Sequence, residues 1–579
     1  MPFSNYDKKL NKGGNIWEKT ILLLCLLGIA LIFFQPLNSV AKGVVIKTEY
    51  GRVKGFVDEQ TRTFTWLGIP YAKPPVGDLR WRPPEEPDPW SGILKTEEFG
   101  NPCAQVGGLY GPPPPGEPYG LSIIETFGLP SGCEDCLTLN IWRPVPWKKK
   151  ELLPVIFFIH GGSNIQSYSG DPMWYGANLA RKANAVVVTV NYRLGVFGWF
   201  YHPALLTDDP LNDSGNHGLL DLIKALQFVK DNIASFGGDP NNITVMGQSA
   251  GAANVFNLMV SPLTEGKGLI HKALLASGPG GNGVPLDFGE TYANNVLRQL
   301  LIDDGTAADT DEADAWIASQ SDEDIAAYLR GKSTAQVLTA LINGSLTRLH
   351  QGAPSSFADG AVVPVNSIAA VENGNFRKVP VIIGATLEEG KLFVPNLYNI
   401  TDAERFTLMY NFDADNPSGP EPSYFLNVPV EMFEVIAQGF AQWFTGLIDG
   451  TAVLLSANQA DNVYAYRFEW NTQPEPWKTI YGAVHVLDMP FLFGNFQPQL
   501  FSCMFGDYNE AGRIALSDAM IASLAAFARS GDPNNWKLGG VSWEPWSNVP
   551  GGPKKLIFDA DENNLLVEMV YTTDLPPLP

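Results

Sequence analysis

The sequence predicts an α/β protein with a central, mostly parallel β-sheet, helices on both faces and a helical insertion. Short runs that are apolar at every position recur at residues 154–159, 185–190 and 379–383. Runs of this kind are typical of parallel strands, which are buried on both sides. Segments with helical spacing lie between them, and the alternation of strand and helix requires crossover connections.

The composition is that of a large globular protein. The chain has 579 residues, of which 45% are hydrophobic and 17% charged, and its net charge is −22. A chain of this length is longer than one hydrophobic core ordinarily serves, so we expect two domains or one large domain with insertions. The negative field disfavours nucleic acid and anionic membrane surfaces as partners.

Residues 1–41 are predicted to be a signal peptide. Four lysines precede an uncharged apolar run at 21–34, and Ser39 and Ala41 are small residues suited to cleavage after position 41. The mature protein would then be exported, either to a periplasm or out of the cell, with no stable membrane insertion. An uncleaved signal anchor is the alternative, although Pro36 and Asn38 suit hydrocarbon poorly.

The remainder, residues 42–579, is predicted to be one domain with four cysteines. Cys103, Cys133, Cys136 and Cys503 allow three fully paired connectivities, and export favours disulfides. Zinc binding is disfavoured, because the CxxC at 133–136 has no second CxxC and no nearby histidine. The sequence predicts neither a metal nor an organic cofactor.

The first part of the domain is predicted to contain a hairpin over residues 44–57 and an extended, proline-marked loop over 66–77. The prolines at 112–115 indicate a stiff surface spacer, with a rim over a substrate entrance as the alternative. Residues 219–233 have helical spacing. They end at the Gly-Gly-Asp-Pro of 237–240, a helix breaker.

The second part is predicted to be helical around two further strands. Residues 287–375 are rich in acidic residues, alanine and leucine, which indicates a peripheral helical insertion with a solvated acidic face. Calcium binding is disfavoured, because the acidic spacing lacks the pattern of a calcium loop. Helical segments are predicted at 401–460 and 515–529, and a strand at 463–470.

The chemistry is predicted to lie at Gly247-Gln248-Ser249-Ala250-Gly251. A β-branched strand precedes this Gly-x-Ser-x-Gly and a helical pattern at 252–259 follows it. Such a turn is too tight for side chains beside the serine, so the hydroxyl of Ser249 is held out as a nucleophile. The alternative is a glycine-rich turn in a Rossmann-like unit.

A serine nucleophile needs a base, and the base needs an orienting carboxylate. In α/β-hydrolases these follow the serine in the order acid, histidine, each after a strand. His485 on a Gly-flanked loop and Glu389 after the strand at 379–383 satisfy that order, whereas His271 and His350 precede Glu389. The oxyanion needs backbone N–H donors, which Ala250 and the turn at 160–163 would supply.

These stretches together resemble the type-B carboxylesterases of the cholinesterase-like family, in the α/β-hydrolase superfamily. The matching segments, which extend from about residue 44 to 546, are WLGIPYAKPPVGDLRW, CEDCLTLNIW, HGG, NYRLGVFGWF, GNHGLLDLIKALQFVKDNIASFGGDPNNITVMGQSAGA, GATLEEGKLF and GAVH. The resemblance implies Ser249 as nucleophile, His485 as general acid/base and Glu389 as its partner. It also implies Gly162, Ser163 and Ala250 as oxyanion donors, a disulfide Cys103–Cys136, and a small-molecule ester as substrate.

The chain departs from the family pattern at several positions. Ser163 and Asn164 stand where the family usually has glycine and an aromatic residue, and Gln248 stands where glutamate is commoner. Two glutamates, Glu388 and Glu389, occupy the acid loop, and we select Glu389 because it directly precedes Gly390.

Four functions are compared. A serine carboxylic-ester hydrolase that forms an acyl-enzyme is favoured, because all three triad positions are intact. A non-catalytic adhesion protein of the same fold typically lacks the nucleophile. A cholinesterase would place a tryptophan between Cys103 and Cys136, and none is there. A lipase would need an apolar lid, whereas residues 104–135 are rich in proline and glycine.

Overall fold

A computed structural model describes residues 44–148, 150–347, 355–459 and 462–573. The predicted signal peptide, residues 1–41, lies outside the described residues.

The described chain contains two small sheets and one large sheet. The strands are β1 Val45–Lys47, β2 Arg52–Lys54, β3 Phe56–Asp58, β4 Thr63–Pro70, β5 Ile93–Lys95, β6 Gln105–Val106, β7 Pro130–Ser131, β8 Thr138–Pro144, β9 Leu153–Ile159, β10 Val186–Val190, β11 Gly238–Gln248, β12 Lys272–Ala276, β13 Val381–Thr386, β14 Val463–Phe468, β15 Lys555–Ala560 and β16 Leu565–Val570. Strands β1, β2 and β5 form one small sheet and β6 pairs with β7 in the other.

The large sheet has eleven strands within the described residues, in the order β16-β15-β14-β13-β12-β11-β9-β10-β8-β4-β3. All neighbours from β15 to β10 in that order are parallel. Strand β16 at one edge and β8, β4 and β3 at the other are antiparallel to their neighbours. The predicted mostly parallel sheet is therefore confirmed.

The helices flank this sheet. The α-helices of the described chain are α1 Ala177–Ala183, α2 Gly195–Gly198, α3 His217–Asn232, α4 Ala250–Val260, α5 Leu286–Asp303, α6 Thr310–Ser319, α7 Asp322–Gly331, α8 Thr334–Asn343, α9 Ser367–Glu372, α10 Asp402–Tyr410, α11 Val430–Asn458, α12 Trp477–Ile480, α13 Asp488–Phe493 and α14 Glu510–Ser530. Short 3₁₀-helices occupy Gly77–Leu79, Leu121–Thr126, Pro172–Trp174, Pro203–Leu205, Asn212–Ser214, Ile233–Phe236, Pro262–Thr264, Glu389–Leu392, Pro395–Leu397, Pro422–Phe425, Ser502–Met504, Asp507–Asn509 and Trp536–Leu538.

Strand β9 shows why the strand sequences are apolar at every position. Ile156 and Phe158 pack into a core with α1 and α14 on one face of the sheet. Phe157 and Ile159 point the other way and pack into a second core with α3 and α4. Because successive side chains alternate between faces, a strand covered on both sides needs apolar residues throughout.

The prediction of a loop over 66–77 is wrong in its first part. Thr63–Pro70 is strand β4, antiparallel to β8, with an irregularity between Trp66 and Ile69. Gly68, at a φ of +68°, lies in that irregularity. Pro70, the last residue of the strand, directly follows this irregularity, and bulges are among the places where a sheet tolerates proline. The hairpin of β15 and β16 and the antiparallel strand β8 were not predicted.

The predicted insertion, residues 287–375, contains helices α5 to α9 within the described ranges. Helices α5 to α8 share a third apolar core with residues that include Trp81, Ala104 and Phe197.

A buried polar cluster also holds the insertion. Arg80 donates to both carboxylate oxygens of Glu134, at 2.8 and 2.5 Å, and to the carbonyl of Lys332 at 2.6 Å. Thr334, at the start of α8, donates its hydroxyl to Glu134 at 2.6 Å.

Glu134 lies inside the loop that the disulfide Cys103–Cys136 closes. The pairing is the one implied by the resemblance, and Cys133 and Cys503 are free thiols. One helix of the described chain, at Asp507–Ser530, is long and apolar enough to cross a membrane by length and composition alone, and 67% of its apolar window is buried inside the protein. The core helix of a soluble protein passes the same test.

Candidate active site

Ser249 occupies a sharp turn between β11 and α4. Its backbone has φ +56° and ψ −125°, a strained combination for a residue with a side chain. Its N–H donates to the carbonyl of Ala276 at 2.8 Å, which ties the turn to the neighbouring strand. A Cβ atom at Gly247 or Gly251 would lie 2.3 or 2.2 Å from a backbone oxygen, so the two glycines are required sterically.

Glu389 and His485 are in contact. Glu389 begins a 3₁₀-helix just after β13, and its Oε1 accepts from the backbone N–H of Thr386 at 2.8 Å. Its Oε2 forms a hydrogen bond with Nδ1 of His485. Glu389 is fully buried and His485 is 3% exposed.

The adjacent Glu388 holds the backbone that precedes His485. Its Oε2 accepts from the N–H of Ala483 at 2.6 Å and its Oε1 pairs with Lys391 at 2.5 Å. A Cβ atom at Gly482 would lie 1.6 Å from Oε2 of Glu388, and Gly482 has a φ of +51°. Of the two glutamates, Glu389 contacts the imidazole and Glu388 positions its loop.

The other ring nitrogen of His485 faces Gln248. Nε2 of His485 lies 3.1 Å from Nε2 of Gln248, and an amide N–H can only donate. The Glu389 carboxylate can only accept, so the imidazole carries its proton on Nδ1, and its Nε2 is the acceptor that faces Gln248. Within the described residues Ser249 has no hydrogen bond to His485, although both line one cavity. Such contacts are often long without substrate.

The turn after β9 presents backbone amides to the same cavity. Gly162, Ser163 and Asn164 have φ values of +88°, +56° and +60°. Within the described chain, no acceptor is recorded for the N–H groups of Gly162, Ser163 or Ala250. Gly162 and Ser163 line the cavity, and Ala250 is the first residue of α4, where the N–H has no partner within the helix.

Asn164 points away from the cavity. It is 4% exposed, and its Oδ1 accepts from the Tyr192 hydroxyl at 3.2 Å and from Nδ2 of Asn254 at 2.8 Å. At this position, where the family usually has an aromatic residue, the chain therefore has a polar side chain in a buried hydrogen-bond network. His160 lies against the Tyr192 ring at 4.7 Å, and burial lowers the pKa of His160 to about 4, so it stays neutral.

Asp488 is a buried carboxyl near the triad candidates that the sequence analysis missed. Its Oδ2 accepts from the Tyr466 hydroxyl at 2.6 Å, whereas its Oδ1 has no hydrogen-bond partner among the described residues. The pKa of Asp488 is raised to about 6, chiefly by burial and also by the charge of Glu389, against the lowering effects of the Tyr466 hydrogen bond and of His485. The only sequence signal was an acidic residue three positions after His485.

The cavity has a volume of about 910 Å³, a size suited to a small organic molecule. Its wall includes both ends of the disulfide loop, residues 104–110 and 127–128, and Tyr292, Leu338 and Leu341 from the insertion. The prolines at 112–115 are not part of it. Rings of Phe393 and Phe444 pack edge-on against His485 at 4.8 and 5.9 Å. No cluster of three metal-binding side chains occurs among the residues that the structure describes.

Comparison with known proteins gives consistent matches. The model of the carboxylesterase family matches residues 42–421 and 431–567. The para-nitrobenzyl esterase of Bacillus subtilis (strain 168) is 30% identical over 499 residues, which cover 85% of this chain and 92% of the relative. The fumonisin B1 esterase of Sphingopyxis macrogoltabida is 32% identical over 495 residues, covering 85% and 83%. The structure of the Geobacillus stearothermophilus carboxylesterase EST55 at pH 6.2 aligns with a TM-score of 0.68 at 28% identity, covering 91% and 97%.

Proposed function

The chain belongs to the carboxylesterase family and is a carboxylesterase, and from that premise we propose that it cleaves esters through an acyl-enzyme formed on Ser249. One observation supports this mechanism above the others. The buried pair His485–Glu389 opens onto the cavity where Ser249 stands at a strained turn. An imidazole oriented by a carboxylate beside a serine is the arrangement that activates a hydroxyl nucleophile.

In the proposed reaction, Oγ of Ser249 attacks the ester carbonyl and Nε2 of His485 takes its proton. The N–H groups of Gly162, Ser163 and Ala250 donate to the tetrahedral oxyanion. His485 then protonates the leaving alcohol, which yields an acyl-serine. Water, deprotonated by the same nitrogen, attacks the acyl-serine and releases the carboxylic acid. Glu389 stabilises the imidazolium in both halves.

Covalent labelling tests the nucleophile. A p-nitrophenyl alkylphosphonate should add one phosphonyl group to the wild-type protein and none to Ser249→Ala, which should also lack turnover of p-nitrophenyl butyrate. Ser163→Ala is the matched control, since it removes a hydroxyl from the same cavity but keeps the backbone N–H. Labelling of Ser249→Ala, or its turnover at the wild-type rate, would refute the assignment.

We further propose that the protein is exported. The disulfide Cys103–Cys136 supports this, because disulfides persist in oxidising compartments, and so does the leader pattern at residues 1–41. N-terminal sequencing of protein from an expressing bacterium should find a soluble chain that starts at Lys42. An intact N-terminus in the membrane fraction would favour the signal anchor instead.

A further inference from the structure

A buried arginine lies in the wall of the cavity that holds Ser249. Arg405 belongs to α10 and is 5% exposed. Its guanidinium pairs with Oδ1 of Asp402 at 2.5 Å and lies over the Tyr398 ring at 4.4 Å. No partner for its Nε is recorded in the described chain. The guanidinium also forms a hydrogen bond with the Tyr398 side chain, but its buried Nε–H remains a donor without an acceptor among the described residues.

A phenol in the same wall is also unpartnered. The hydroxyl of Tyr110, from the disulfide loop, has no hydrogen bond within the described residues. The Tyr398 hydroxyl, by contrast, donates to the carbonyl of Lys391 at 2.9 Å. Two unrelated segments thus bring unsatisfied donors to one cavity, and buried donors of this kind are normally satisfied by a partner or a ligand.

The local charge is also suited to an anion. Arg405 is the only arginine or lysine among the described residues that line the cavity. Its counter-ion, Asp402, also lines the cavity, but the Asp402 side chain is 52% exposed, so solvent weakens its neutralising effect. The protein as a whole has a net charge of −22, so the positive charge of Arg405 beside the cavity is opposite in sign to the charge of the protein.

We propose that Arg405 and Tyr110 form a subsite for a carboxylate, so that the preferred esters carry a free carboxylate in addition to the scissile bond. Arginine recognises carboxylates through paired N–H donors, and a buried site strengthens the bond. The inference rests on the proposed ester hydrolysis at Ser249. The carboxylate can stand on the acyl part or on the alcohol part of the ester, and separate substrates distinguish these.

Two substrate pairs test the subsite. For the acyl side, mono-p-nitrophenyl adipate is compared with its methyl ester; for the alcohol side, 4-acetoxybenzoate is compared with methyl 4-acetoxybenzoate. The readout is the selectivity, which we define as kcat/KM for the anionic ester divided by kcat/KM for its neutral partner. Using this ratio cancels differences in chemistry, protein concentration and active fraction.

Arg405→Met should lower the selectivity about tenfold in one of the two pairs, mainly through KM, because a charge-assisted hydrogen bond is lost. Asp402→Asn should raise the same selectivity, since it removes the competing carboxylate. Arg298→Met is the matched control: Arg298 pairs with Asp314 on the insertion and does not line the cavity, so its selectivity should equal that of the wild type.

A measurement on the wild-type protein guards against misfolding of Arg405→Met. Adipate should inhibit hydrolysis of neutral p-nitrophenyl butyrate competitively and at least about tenfold more strongly than 1,6-hexanediol. Unchanged selectivity in both pairs for Arg405→Met and Asp402→Asn, or equal inhibition by adipate and the diol, would overturn the subsite. Absence of all ester turnover would instead overturn the proposed function, so the two failures are distinguishable.

Discussion

Replacing Glu389 with glutamine should move the proton of the His485 imidazole from Nδ1 to Nε2 without changing the shape of the site. Glu389 accepts two hydrogen bonds, from the N–H of Thr386 and from Nδ1 of His485. Glutamine has one oxygen and one NH₂ group. Because the N–H of Thr386 can only donate, the amide oxygen must face it, and the NH₂ group then faces Nδ1. Nδ1 becomes an acceptor and the proton moves to Nε2.

The expected loss of kcat follows from this change of tautomer. An Nε2 that carries a proton is unable to take one from Ser249, so only the minor tautomer is active. The corresponding aspartate-to-asparagine change in the trypsin-like triad lowers kcat about 10⁴-fold. We expect a fall of about 10³–10⁴-fold in kcat for Glu389→Gln, which corresponds to about 4–5.5 kcal/mol of barrier. KM should change little, because Glu389 is buried and does not line the cavity.

Steady-state hydrolysis of p-nitrophenyl butyrate, with active-site titration and circular dichroism as a check on folding, measures the effect. Glu388→Gln is the matched control, because its amide oxygen can still accept from Ala483. It loses the pair with Lys391, so a fall below about tenfold is expected there. A loss for Glu389→Gln as small as that of Glu388→Gln would refute the role of Glu389.

Three further variants test the frame of the site. Gly482→Ala should lower stability by about 1–3 kcal/mol and reduce kcat, because the new Cβ meets Glu388 at a positive φ; wild-type thermal unfolding would contradict this. Asn164→Ala should cost about 1–3 kcal/mol in urea titrations, since it leaves the buried amide of Asn254 without its acceptor, whereas the Tyr192 hydroxyl keeps its hydrogen bond to the carbonyl of His160 at 2.8 Å. Burial raises the pKa of Asp488 to about 6, so its contribution to stability is full below about pH 4 and is lost as pH rises through 6. Asp488→Asn should therefore gain about 3 kcal/mol relative to wild type at pH 8, and a gain that is equal at pH 4 and pH 8 would count against this account.

The central sheet could be predicted because its strands are covered on both sides. Every residue of β9 and β10 is buried, so periodicity is lost and a short apolar run remains as a strong signal. Strand β4 escaped detection because glycine and proline interrupt it, and sequence alone does not separate a bulged edge-side strand from a loop. The last hairpin was missed because β16 alternates between part-buried and exposed residues without a strong apolar run.

The candidate site was predictable where backbone geometry forces the residue type and where the order acid, then histidine, limits the choice of partners for the serine. The turn around Ser249 needs its glycines, and the loop around His485 needs Gly482. Residues that reach the site from other elements of the fold were not recognisable from the sequence around them. Asp488, Tyr466 and Arg405 come from separate elements, and only the fold reveals that they lie near Glu389 or the cavity.

The cluster of Arg80, Glu134 and Thr334 has a consequence for recombining this protein with its relatives. The insertion supplies part of the cavity wall, so exchanging it between relatives is a direct way to change substrate specificity. Besides their apolar core, its helices are held by hydrogen bonds to Glu134, inside the disulfide loop, and to Arg80, which precedes that loop. A chimera that moves the insertion alone would leave the Lys332 carbonyl and the Thr334 hydroxyl without these partners, so Arg80 and Glu134 need to travel with it.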